Sequence, residues 1–311
     1  MRVIFFGTPA FAVPTLEALA AAGHEVCLVV SRPDRPSGRH LRLAVPEVVE
    51  ASRRLGLPLL QPEKIGTDDF HRRLGAARAE AAVVVAYGKI IPGRLLKTTR
   101  RGFVNLHPSL LPRHRGPSPI QWAIVSGDEV TGVTTMLLDA GMDTGPILLQ
   151  RETPIGPRER APELEHRLAP MGAGLVVETL AAMEAGSVTP RPQDGAAATV
   201  TPKLDRKIAR VEWSLPAREL AWRSRGLDPW PGLFATFRGS RVKIHSLEAG
   251  PDTPGDEAPG TVVSVTGAGV AVRCGGGTVV LLTELQREGK RRLPADAFII
   301  GERVAKGERF H

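Results

Sequence analysis

The sequence predicts an α/β domain built on a mostly parallel sheet, followed by a small β-barrel domain. In the first half of the chain, short apolar runs alternate with segments of helical periodicity, which is typical of a parallel sheet covered by helices. In the second half, short strands are separated by glycine-rich turns, which is typical of a small barrel. The chain has 311 residues. This is about twice the usual length of a single domain, so two domains are expected.

The first half begins with an apolar strand, Val3 to Phe6, that runs into the turn Gly7-Thr8-Pro9. Apolar residues at helical spacing predict a helix from Phe11 to Gly23 and a long amphipathic helix from Pro162 to Ala185. The remaining elements of this half are further strands, a short helix and an antiparallel pair of strands. They are predicted at residues 25–30, 57–60, 81–86 and 102–106, at 120–125, and at 133–138 and 146–150.

A change in composition divides the two halves. Residues 186–202 contain three prolines, two glycines and a run of small residues, which suits an extended linker. We therefore predict a first domain at residues 1–189, a basic linker at 190–208 and a barrel domain at 209–311. The predicted elements of the second half are a helix at 215–225 and strands at 233–237, 241–247, 260–265, 269–274 and 278–282.

The charge of the chain favours an anionic partner. There are 41 lysine and arginine residues against 33 aspartate and glutamate residues, for a formal net charge of +8. Between Arg191 and Lys243 the count is 11 basic against 5 acidic residues, so the excess is concentrated just after the middle of the chain. A positive surface of this kind attracts polyanions such as nucleic acids.

Other features exclude several classes of protein. No apolar run approaches the roughly 20 residues that a membrane-spanning helix requires, and the first residues lack the pattern of a signal peptide, so we expect a cytoplasmic protein without membrane contact. Cys27 and Cys274 belong to no C-x-x-C pair, which favours two buried thiols over a disulfide. The turn after the first strand lacks two glycines of the dinucleotide fingerprint, and no zinc-ligand spacing occurs, so neither NAD nor a metal is expected.

Two stretches carry candidate chemistry. Asn105 and His107 stand at i and i+2 at the end of an apolar strand, so both side chains emerge on one face, at the edge where open α/β sheets bind ligands. Asp143 lies in the loop Asp139-Ala-Gly-Met-Asp143-Thr-Gly145, after another apolar strand. Together they offer an amide, an imidazole and a carboxylate for polar catalysis. On spacing alone, structural roles for Asn105 and His107 and a turn-forming role for Asp143 remain open.

At these residues the sequence resembles a known family. The segments Asn105-Leu-His107, Ser109-Leu-Leu-Pro112 with Arg115-Gly116, and Gly141-Met-Asp143-Thr-Gly145 are similar to the signature of the folate-dependent formyltransferases. Further segments resemble the members of this family that act on methionyl-tRNA. These lie at residues 32–39, 192–194, 198–204, 209–213 and 228–232. The resemblance implies a Rossmann-like formyltransferase domain, joined by the linker to an OB-like barrel.

The resemblance also implies a reaction and its site. The formyl donor is expected to be 10-formyltetrahydrofolate, without a metal, and the acceptor the free α-amine of initiator methionyl-tRNA, which yields N-formylmethionyl-tRNA for translation initiation. Asn105, His107 and Asp143 are implied to be catalytic. The residues implied to line the folate site are Ser109, Leu110, Leu111 and Pro112. Tyr87 to Lys89, which close a neighbouring buried strand, are a candidate border of the same pocket.

The chemistry of formyl transfer suggests a role for each catalytic candidate. Attack of the amine on the formyl carbon builds negative charge on the formyl oxygen, so the site requires hydrogen-bond donors aimed at that oxygen. We expect the Asn105 amide and a protonated His107 to be these donors. Asp143 is expected to keep His107 charged and to relay the proton that the amine loses.

A tRNA partner accounts for the cationic excess, because each neutralised phosphate adds a salt-dependent term to the affinity. The residues expected to contact tRNA are Arg32, Arg35, Arg39 and Arg42 near the acceptor stem, and Lys203, Arg206 and Lys207, with Arg210, along its flank. A monomer is expected, because the partner is large. Two alternatives remain. The first is a formyltransferase that acts on a small amine, or a formyl-folate hydrolase, and the excess of positive charge between Arg191 and Lys243 argues against it. The second is a non-catalytic RNA-binding protein, and the combination of Asn105, His107 and Asp143 argues against it.

Overall fold

The computed structural model describes residues 1–37, 42–250 and 253–311, and the chain divides into two units, each with its own sheet. The first unit consists of Met1–Pro119, Val130–Pro154 and Glu165–Thr201. The second consists of Ile120–Glu129, Ile155–Leu164 and Pro202–His311.

The elements up to residue 185 alternate strands and helices, as the sequence predicts. In chain order they are β1 (Arg2–Gly7), α1 (Val13–Ala21), β2 (Glu25–Val30), β3 (Arg35–Ser37), β4 (Arg42–Ala44), α2 (Glu47–Arg54), β5 (Leu59–Leu60), α3 (Asp68–Ala76), β6 (Ala81–Val85), β7 (Phe103–His107), α4 (Pro119–Val125), β8 (Val130–Leu137), β9 (Ile147–Pro154) and α5 (Ala161–Ala185). Short 3-10 turns lie at Ala10–Ala12 and Leu95–Lys97.

The sheet of the first unit has seven strands in the order β5-β2-β1-β6-β7-β8-β9. The strands from β5 to β7 are parallel, and β8 and β9 add an antiparallel edge. From β1 the chain builds the sheet outward through β2 and β5, and then returns to place β6 on the other side of β1. The strand order therefore reverses between β1 and β6, which is where open α/β sheets form a crevice for ligands.

Burial explains why the central strands read as unbroken apolar runs. Val3, Ile4, Phe5 and Phe6 of β1 have no solvent exposure, and every residue of β6 is buried. A parallel strand covered by helices on both faces has no polar side to alternate with. These strands therefore form the buried centre of the sheet.

α5 is the described helix that has the length and apolar composition of a membrane span. Its residues Leu168, Leu175 and Leu180 are buried within the protein. Glu163, Glu178 and other charged residues of the same helix are exposed. This amphipathic pattern is that of a helix packed on a core.

The second unit is built around an antiparallel sheet. Its later elements are α6 (Ala217–Gly226), β10 (Leu233–Phe237), β11 (Ser240–Ala249), β12 (Val262–Thr266), β13 (Gly269–Arg273), β14 (Val279–Arg287), β15 (Leu293–Pro294) and α7 (Ala295–Glu302). The strand order is β10-β11-β14-β13-β12, and β15 also pairs with β14.

The last residues of the chain connect the two edges of this sheet. His311 exchanges backbone hydrogen bonds with Thr236 of β10, and Gly307 donates to Val262 of β12. Phe310, between them, is fully buried and stacks on Phe237 with ring centroids 4.5 Å apart. Both edge strands are thus covered by one segment, an arrangement with which the predicted OB-like barrel is compatible.

The predicted fold class is confirmed, with a Rossmann-like, mostly parallel sheet first and a smaller antiparallel domain second. β2 and β10 begin and end at the predicted residues. The sequence reading missed α2, α3, α7 and the hairpin of β3 and β4. α2 and α3 have eight and nine residues, many of them charged, so their apolar periodicity is short. The domain boundaries at 189 and 208 stay predictions.

Candidate active site

A cavity of about 680 Å³ opens at the carboxyl ends of the central strands of the first unit. This volume is in the range of small-molecule sites. The residues around it come from four loops and from Phe11, which follows β1. They are Val84 and residues 86–91 after β6, 105–108 at the end of β7, 116–119, and 138–143 after β8. The cavity therefore lies at the point where the strand order reverses.

Asn105 is held at the wall of this cavity by the sheet itself. It lies in the middle of β7, level with Val84 of β6 and Met136 of β8. Its side chain is 9% exposed and faces the cavity. Within the part of the chain that the structure describes, the side-chain amide has no hydrogen-bonding partner. A buried amide without a protein partner is available to a ligand.

His107 lies two residues further along the same strand and contacts two loops. Its Nε2 is 2.9 Å from the backbone oxygen of His114. Because a carbonyl oxygen only accepts, Nε2 carries the hydrogen and donates it. Nδ1 lies 3.7 Å from Oδ2 of Asp143.

Burial governs the charge of this imidazole. Desolvation lowers the pKa of His107, and the neighbouring Asp143 carboxylate opposes that effect without reversing it. A lowered pKa favours the neutral form of the ring, in which Nδ1 carries a lone pair. A protonated His107 stays a prediction, which the Asp143 carboxylate favours and the burial of the ring opposes.

Asp143 is presented by a tightly closed loop. Oδ1 of Asp139 accepts hydrogen bonds from the backbone N–H of Gly141 at 3.0 Å and from Oγ1 of Thr144 at 2.8 Å. A Cβ at Gly145 would lie 1.7 Å from the backbone oxygen of Leu137, so only glycine fits there. Asp143 itself has a φ of 55°, in the left-handed region that non-glycine residues rarely adopt.

The Asp143 carboxylate is aimed by a second loop. Its Oδ2 accepts a hydrogen bond of 2.8 Å from the backbone N–H of Gly116. The same oxygen is the one that faces Nδ1 of His107. The structure thus brings Asn105, His107 and Asp143 together at one wall of one cavity, although 36 residues of chain separate His107 from Asp143.

The four residues predicted to line the folate site are not among the residues that line the cavity. Oγ of Ser109 donates 2.7 Å to the backbone oxygen of Arg113. Leu111 is buried with Met136 and Ile147, and its backbone oxygen accepts from Nε2 of Gln150 at 2.9 Å. These contacts fix the path of the loop that continues to Gly116 and Pro117, which do line the cavity. Direct folate contact by Ser109, Leu110, Leu111 and Pro112 stays a prediction.

Residues 191–201, which we call the strap, contact the loop that carries Asp143 and the loop that carries His114 to Gly116. This role was not predicted from the sequence. Nε2 of Gln193 donates to the backbone oxygens of Asp143 at 2.9 Å and Gly145 at 2.7 Å, and its Oε1 accepts from Nε of Arg115 at 3.0 Å. Oγ1 of Thr199 accepts 2.8 Å from the backbone N–H of His114. The available signal was the Pro-Gln-Asp motif in the predicted linker, which the sequence reading used only for the resemblance.

The rest of the cavity wall is largely apolar. Phe11, Ile91 and Tyr87 are buried there, and Ile90 is exposed at the mouth. Tyr87, Gly88 and Lys89, the candidate border of the folate pocket, line the cavity. A flat heteroaromatic ring fits such a wall, because apolar walls with a few polar groups are what buries ring systems in proteins.

The predicted tRNA contacts fall into two sets. Arg32 is half-buried beside Gly88, and Arg35 is exposed. Arg39 lies outside the described residues, and only the backbone of Arg42, in β4, is described. Lys203, Arg206 and Lys207, with Arg210, are exposed in the second unit.

No group of three His, Cys, Asp or Glu side chains among residues 1–37, 42–250 and 253–311 is placed to hold a metal ion.

Residues 1–180 match the family described as "Formyl transferase", and residues 203–303 match its C-terminal domain. The chain belongs to the formyl transferase family.

Relatives within this family extend over the whole chain. The methionyl-tRNA formyltransferase of Acidobacterium capsulatum is 47% identical over 306 residues, which are 98% of this chain and 98% of the relative. That of Deinococcus radiodurans is 46% identical and covers 99% of this chain and 95% of the relative. The solved structure of the sugar 3N-formyl transferase WlaRD, in the presence of dTDP and 5-N-formyl-THF, covers 94% of this chain and 99% of that chain at 15% identity. Its TM-score of 0.68 shows a shared fold.

Proposed function

We propose that this formyl transferase transfers the formyl group of 10-formyltetrahydrofolate to the α-amine of initiator methionyl-tRNA, which gives the N-formylmethionyl-tRNA used in translation initiation. The observation that carries the proposal is the unpartnered Asn105 amide beside His107 and Asp143 at one wall of the cavity. Near full-length relatives named methionyl-tRNA formyltransferase support the choice of acceptor.

The cavity is suited to a formyl-folate. Its apolar wall at Phe11, Tyr87 and Ile91 can cover a ring system, while the polar wall at Asn105 holds the end where chemistry occurs. When bound, the folate supplies the formyl carbon that the amine attacks. We propose that Ser109, Leu110, Leu111 and Pro112 serve this site by fixing the loop that carries Gly116 and Pro117 into the cavity wall.

Asn105 acts as the hydrogen-bond donor to the formyl oxygen. The amide is fixed on a central strand, so it is already oriented when negative charge builds on that oxygen. Preorganised donors in a water-poor site stabilise such charge more strongly than water does, because no reorganisation is required at the moment of reaction. Loss of one such donor costs about 10²- to 10³-fold in rate.

His107 accepts the proton that the attacking amine releases as the new bond to the formyl carbon forms. It returns that proton to N10 of the folate when the bond between N10 and the formyl carbon breaks, so that tetrahydrofolate leaves and the imidazole is restored. Its Nε2–H is already donated to the His114 carbonyl, so the nitrogen free to react is Nδ1. Because burial lowers the pKa of His107, the resting ring favours its neutral form, which has a lone pair at that atom. The Asp143 carboxylate, 3.7 Å away, stabilises the imidazolium that forms. Asp143 thus stabilises the charged product state of His107 and does not maintain a charged resting state.

The exposed cations of the second unit bind the tRNA backbone. Lys203, Arg206, Lys207 and Arg210 lie within eight residues of one another in sequence and are all exposed. Their contribution adds up from individual phosphate contacts and requires no shared geometry. Arg32, Arg35, Arg39 and Arg42 are proposed to contact the acceptor stem. We further propose that the chain works as a monomer in the cytoplasm, with a catalytic domain at 1–189, a linker at 190–208 and a barrel domain at 209–311.

A formylation assay tests this function. Purified protein is given 10-formyltetrahydrofolate with one of three acceptors: initiator methionyl-tRNA, free methionine or a small ribosylamine. We expect formylation of methionyl-tRNA at a catalytic rate and little or none of the two small amines. Preferential formylation of the ribosylamine, or release of formate without an acceptor, would replace the proposal with the corresponding small-molecule activity.

A further inference from the structure

The two contacts of the His107 ring both come from strained backbone. Asp143, which faces Nδ1, has a φ of 55°, and His114, whose carbonyl accepts from Nε2, has a φ of 58°. Residues with a β-carbon rarely adopt such a conformation, and they keep it only where surrounding contacts impose it. At both places the strap supplies hydrogen bonds to the strained residue, to the backbone oxygen of Asp143 and to the backbone N–H of His114.

Gln193 is the centre of the strap on the Asp143 side. Its amide group has two N–H donors, and both are used, on the carbonyls of Asp143 and Gly145. Its oxygen accepts from Arg115, the residue before Gly116, whose N–H in turn binds the Asp143 carboxylate. One side chain therefore ties together the backbone of Asp143 and the loop that aims its carboxylate.

Thr199 and Thr201 hold the His114 side. Oγ1 of Thr199 accepts from the N–H of His114, and the backbone of Thr199 and Thr201 brackets Arg115 with hydrogen bonds of 2.8 Å. Oγ1 of Thr201 donates to the carbonyls of Arg115 at 3.0 Å and Pro117 at 2.7 Å. The strap itself is anchored to the sheet, because Arg191 exchanges backbone hydrogen bonds with Ile147 of β9.

We propose that Gln193 is a positioning residue for the reaction: it holds Asp143 in its left-handed conformation against Nδ1 of His107, as the central part of a strap that fixes both partners of that ring. The inference deepens the proposed function and rests on it for the reaction. Gln193 does not itself line the cavity. It acts through Asp143 and the loop of Arg115 and Gly116.

Removal of Gln193 should lower the pKa of His107. Asp143 and His114 are the titratable groups that face the ring, and the Asp143 carboxylate raises the pKa of His107 while His114 lowers it. If Gln193 is removed and Asp143 moves away, the ring loses the carboxylate that favours its charged form. Its titration should then move to lower pH.

The experiment compares three variants of the full chain. Gln193→Ala removes the amide, Gln193→Glu keeps its size and loses the donors, and Gln286→Ala is the matched control. In the second unit, Gln286 likewise donates to a backbone carbonyl, that of Lys290, at 2.7 Å. Turnover is measured with saturating methionyl-tRNA and formyl-folate, and the His107 ring is titrated by ¹⁵N NMR without substrate.

We expect kcat to fall about 10- to 100-fold in both Gln193 variants, as misplacement of a catalytic group by about 1 Å does, with KM for each substrate within about threefold of the unchanged chain. The His107 titration should move to lower pH in Gln193→Ala. Gln286→Ala should change neither quantity. If Gln193→Ala does not fold, Thr199→Val, which removes the acceptor for His114, carries the same comparison on the other side of the ring.

Unchanged kcat and an unchanged His107 titration in both Gln193 variants would overturn the proposal. So would retained activity in Gln193→Glu, because that side chain fills the same space without donating. A fall in kcat with an unmoved His107 titration would also overturn it. The titration requires no substrate, so a failure of the proposed function and a failure of the positioning role give different results.

Discussion

The polar wall of the cavity, formed by Asn105, His107 and Asp143, and the basic segment of the second unit, residues 203–210, use charged and polar side chains in different ways. At the wall, Nε2 of His107 and the carboxylate of Asp143 have fixed hydrogen-bond partners, and the Asn105 amide and Nδ1 of His107 face the cavity without one among the described residues. In the basic segment, Lys203, Arg206 and Lys207 are exposed, and no side-chain ion pair holds them within the described part of the chain. Stabilisation of a transition state depends on fixed geometry, whereas attraction of a polyanion depends on the number of charges.

Replacement of His107 should have the largest effect. His107→Ala removes the proton acceptor next to the amine, so the single-turnover rate should fall by about 10²- to 10⁴-fold. The rate is measured by rapid quench with saturating enzyme. His166→Ala, which removes an exposed histidine of α5, is the control and should leave the rate unchanged. A His107→Ala enzyme with a normal rate would show that the wall is not preorganised for proton transfer.

Replacement of Asn105 should come next. Asn105→Ala should lower the single-turnover rate by about 10²- to 10³-fold, with substrate affinity nearly unchanged, because the donor matters mainly when charge builds on the formyl oxygen. Asn105→Asp, which keeps the shape and brings a negative oxygen to the same place, should be at least as slow.

Asn105 is also the single asparagine of the chain, which allows a direct test of its contact with the formyl-folate. Selective ¹⁵N labelling of asparagine marks this one side chain. Its amide resonance should shift when 5-formyltetrahydrofolate, a formyl-folate probe, is added. A resonance that stays in place while the probe binds would remove Asn105 from the site.

A glycine of the Asp143 loop tests the rigidity of the wall. Gly145→Ala places a Cβ against the backbone oxygen of Leu137, which cannot move like a side chain. We expect the free energy of unfolding to fall by about 2 kcal/mol or more, measured by urea denaturation. Gly66→Ala, at a position with no atom within 4 Å of the added Cβ, should be close to neutral. An unchanged stability in Gly145→Ala would mean that this loop adapts easily.

The basic segment should respond by small, additive steps. The triple variant Lys203→Ala, Arg206→Ala, Lys207→Ala should raise KM for methionyl-tRNA several-fold and leave kcat unchanged. The slope of log K against log salt should fall by about one for each cation that contacts a phosphate. A triple variant with the same loss of charge at Arg53, Lys64 and Arg78 is the control. A loss of kcat in place of affinity would show that the segment is part of the catalytic geometry.

The smallest effect is spectroscopic and concerns the apolar wall. Burial raises the pKa of Tyr87 to about 12. Tyr87 is the only tyrosine of the chain, so the ultraviolet absorbance of tyrosinate reports it alone. The absorbance should appear only near pH 12, or together with unfolding, well above the value near 10 of an exposed phenol. Ionisation near pH 10 in the folded protein would show that water reaches this wall.

Much of the fold was predictable because the signals for it are local. The apolar runs of β1 and β6 and the periodicity of α5 each report burial of one element, and the structure has these elements close to where the sequence places them. α2 and α3 were missed because they are short and polar. The hairpin of β3 and β4 has three residues in each strand, too few to show alternation.

The candidate site was predictable only in part. That Asn105 and His107 share one face follows from the period of a strand, and the motifs around them place the chain in its family. The contacts of Ser109 and Leu111 with neighbouring backbone and side chains did not follow, because the sequence of a loop does not reveal which surface it packs against. The strap was read as a linker because extended, proline-rich backbone has the same composition in either role.

The sequence by itself determined the fold class and its longer apolar strands and helices, the placing of an amide and an imidazole on one face at a sheet edge, and the excess of positive charge after the middle of the chain. Only the tertiary structure decided that Asp143 faces Nδ1 of His107, that burial lowers the pKa of that ring, and that residues 191–201 contact both of its partners. The physical reason is the sequence distance between the residues that interact. Periodicity and propensity act over a few residues, whereas the bonds of Gln193 to Asp143 and of Thr199 to His114 join residues 50 and 85 apart and form only when the sheet has assembled.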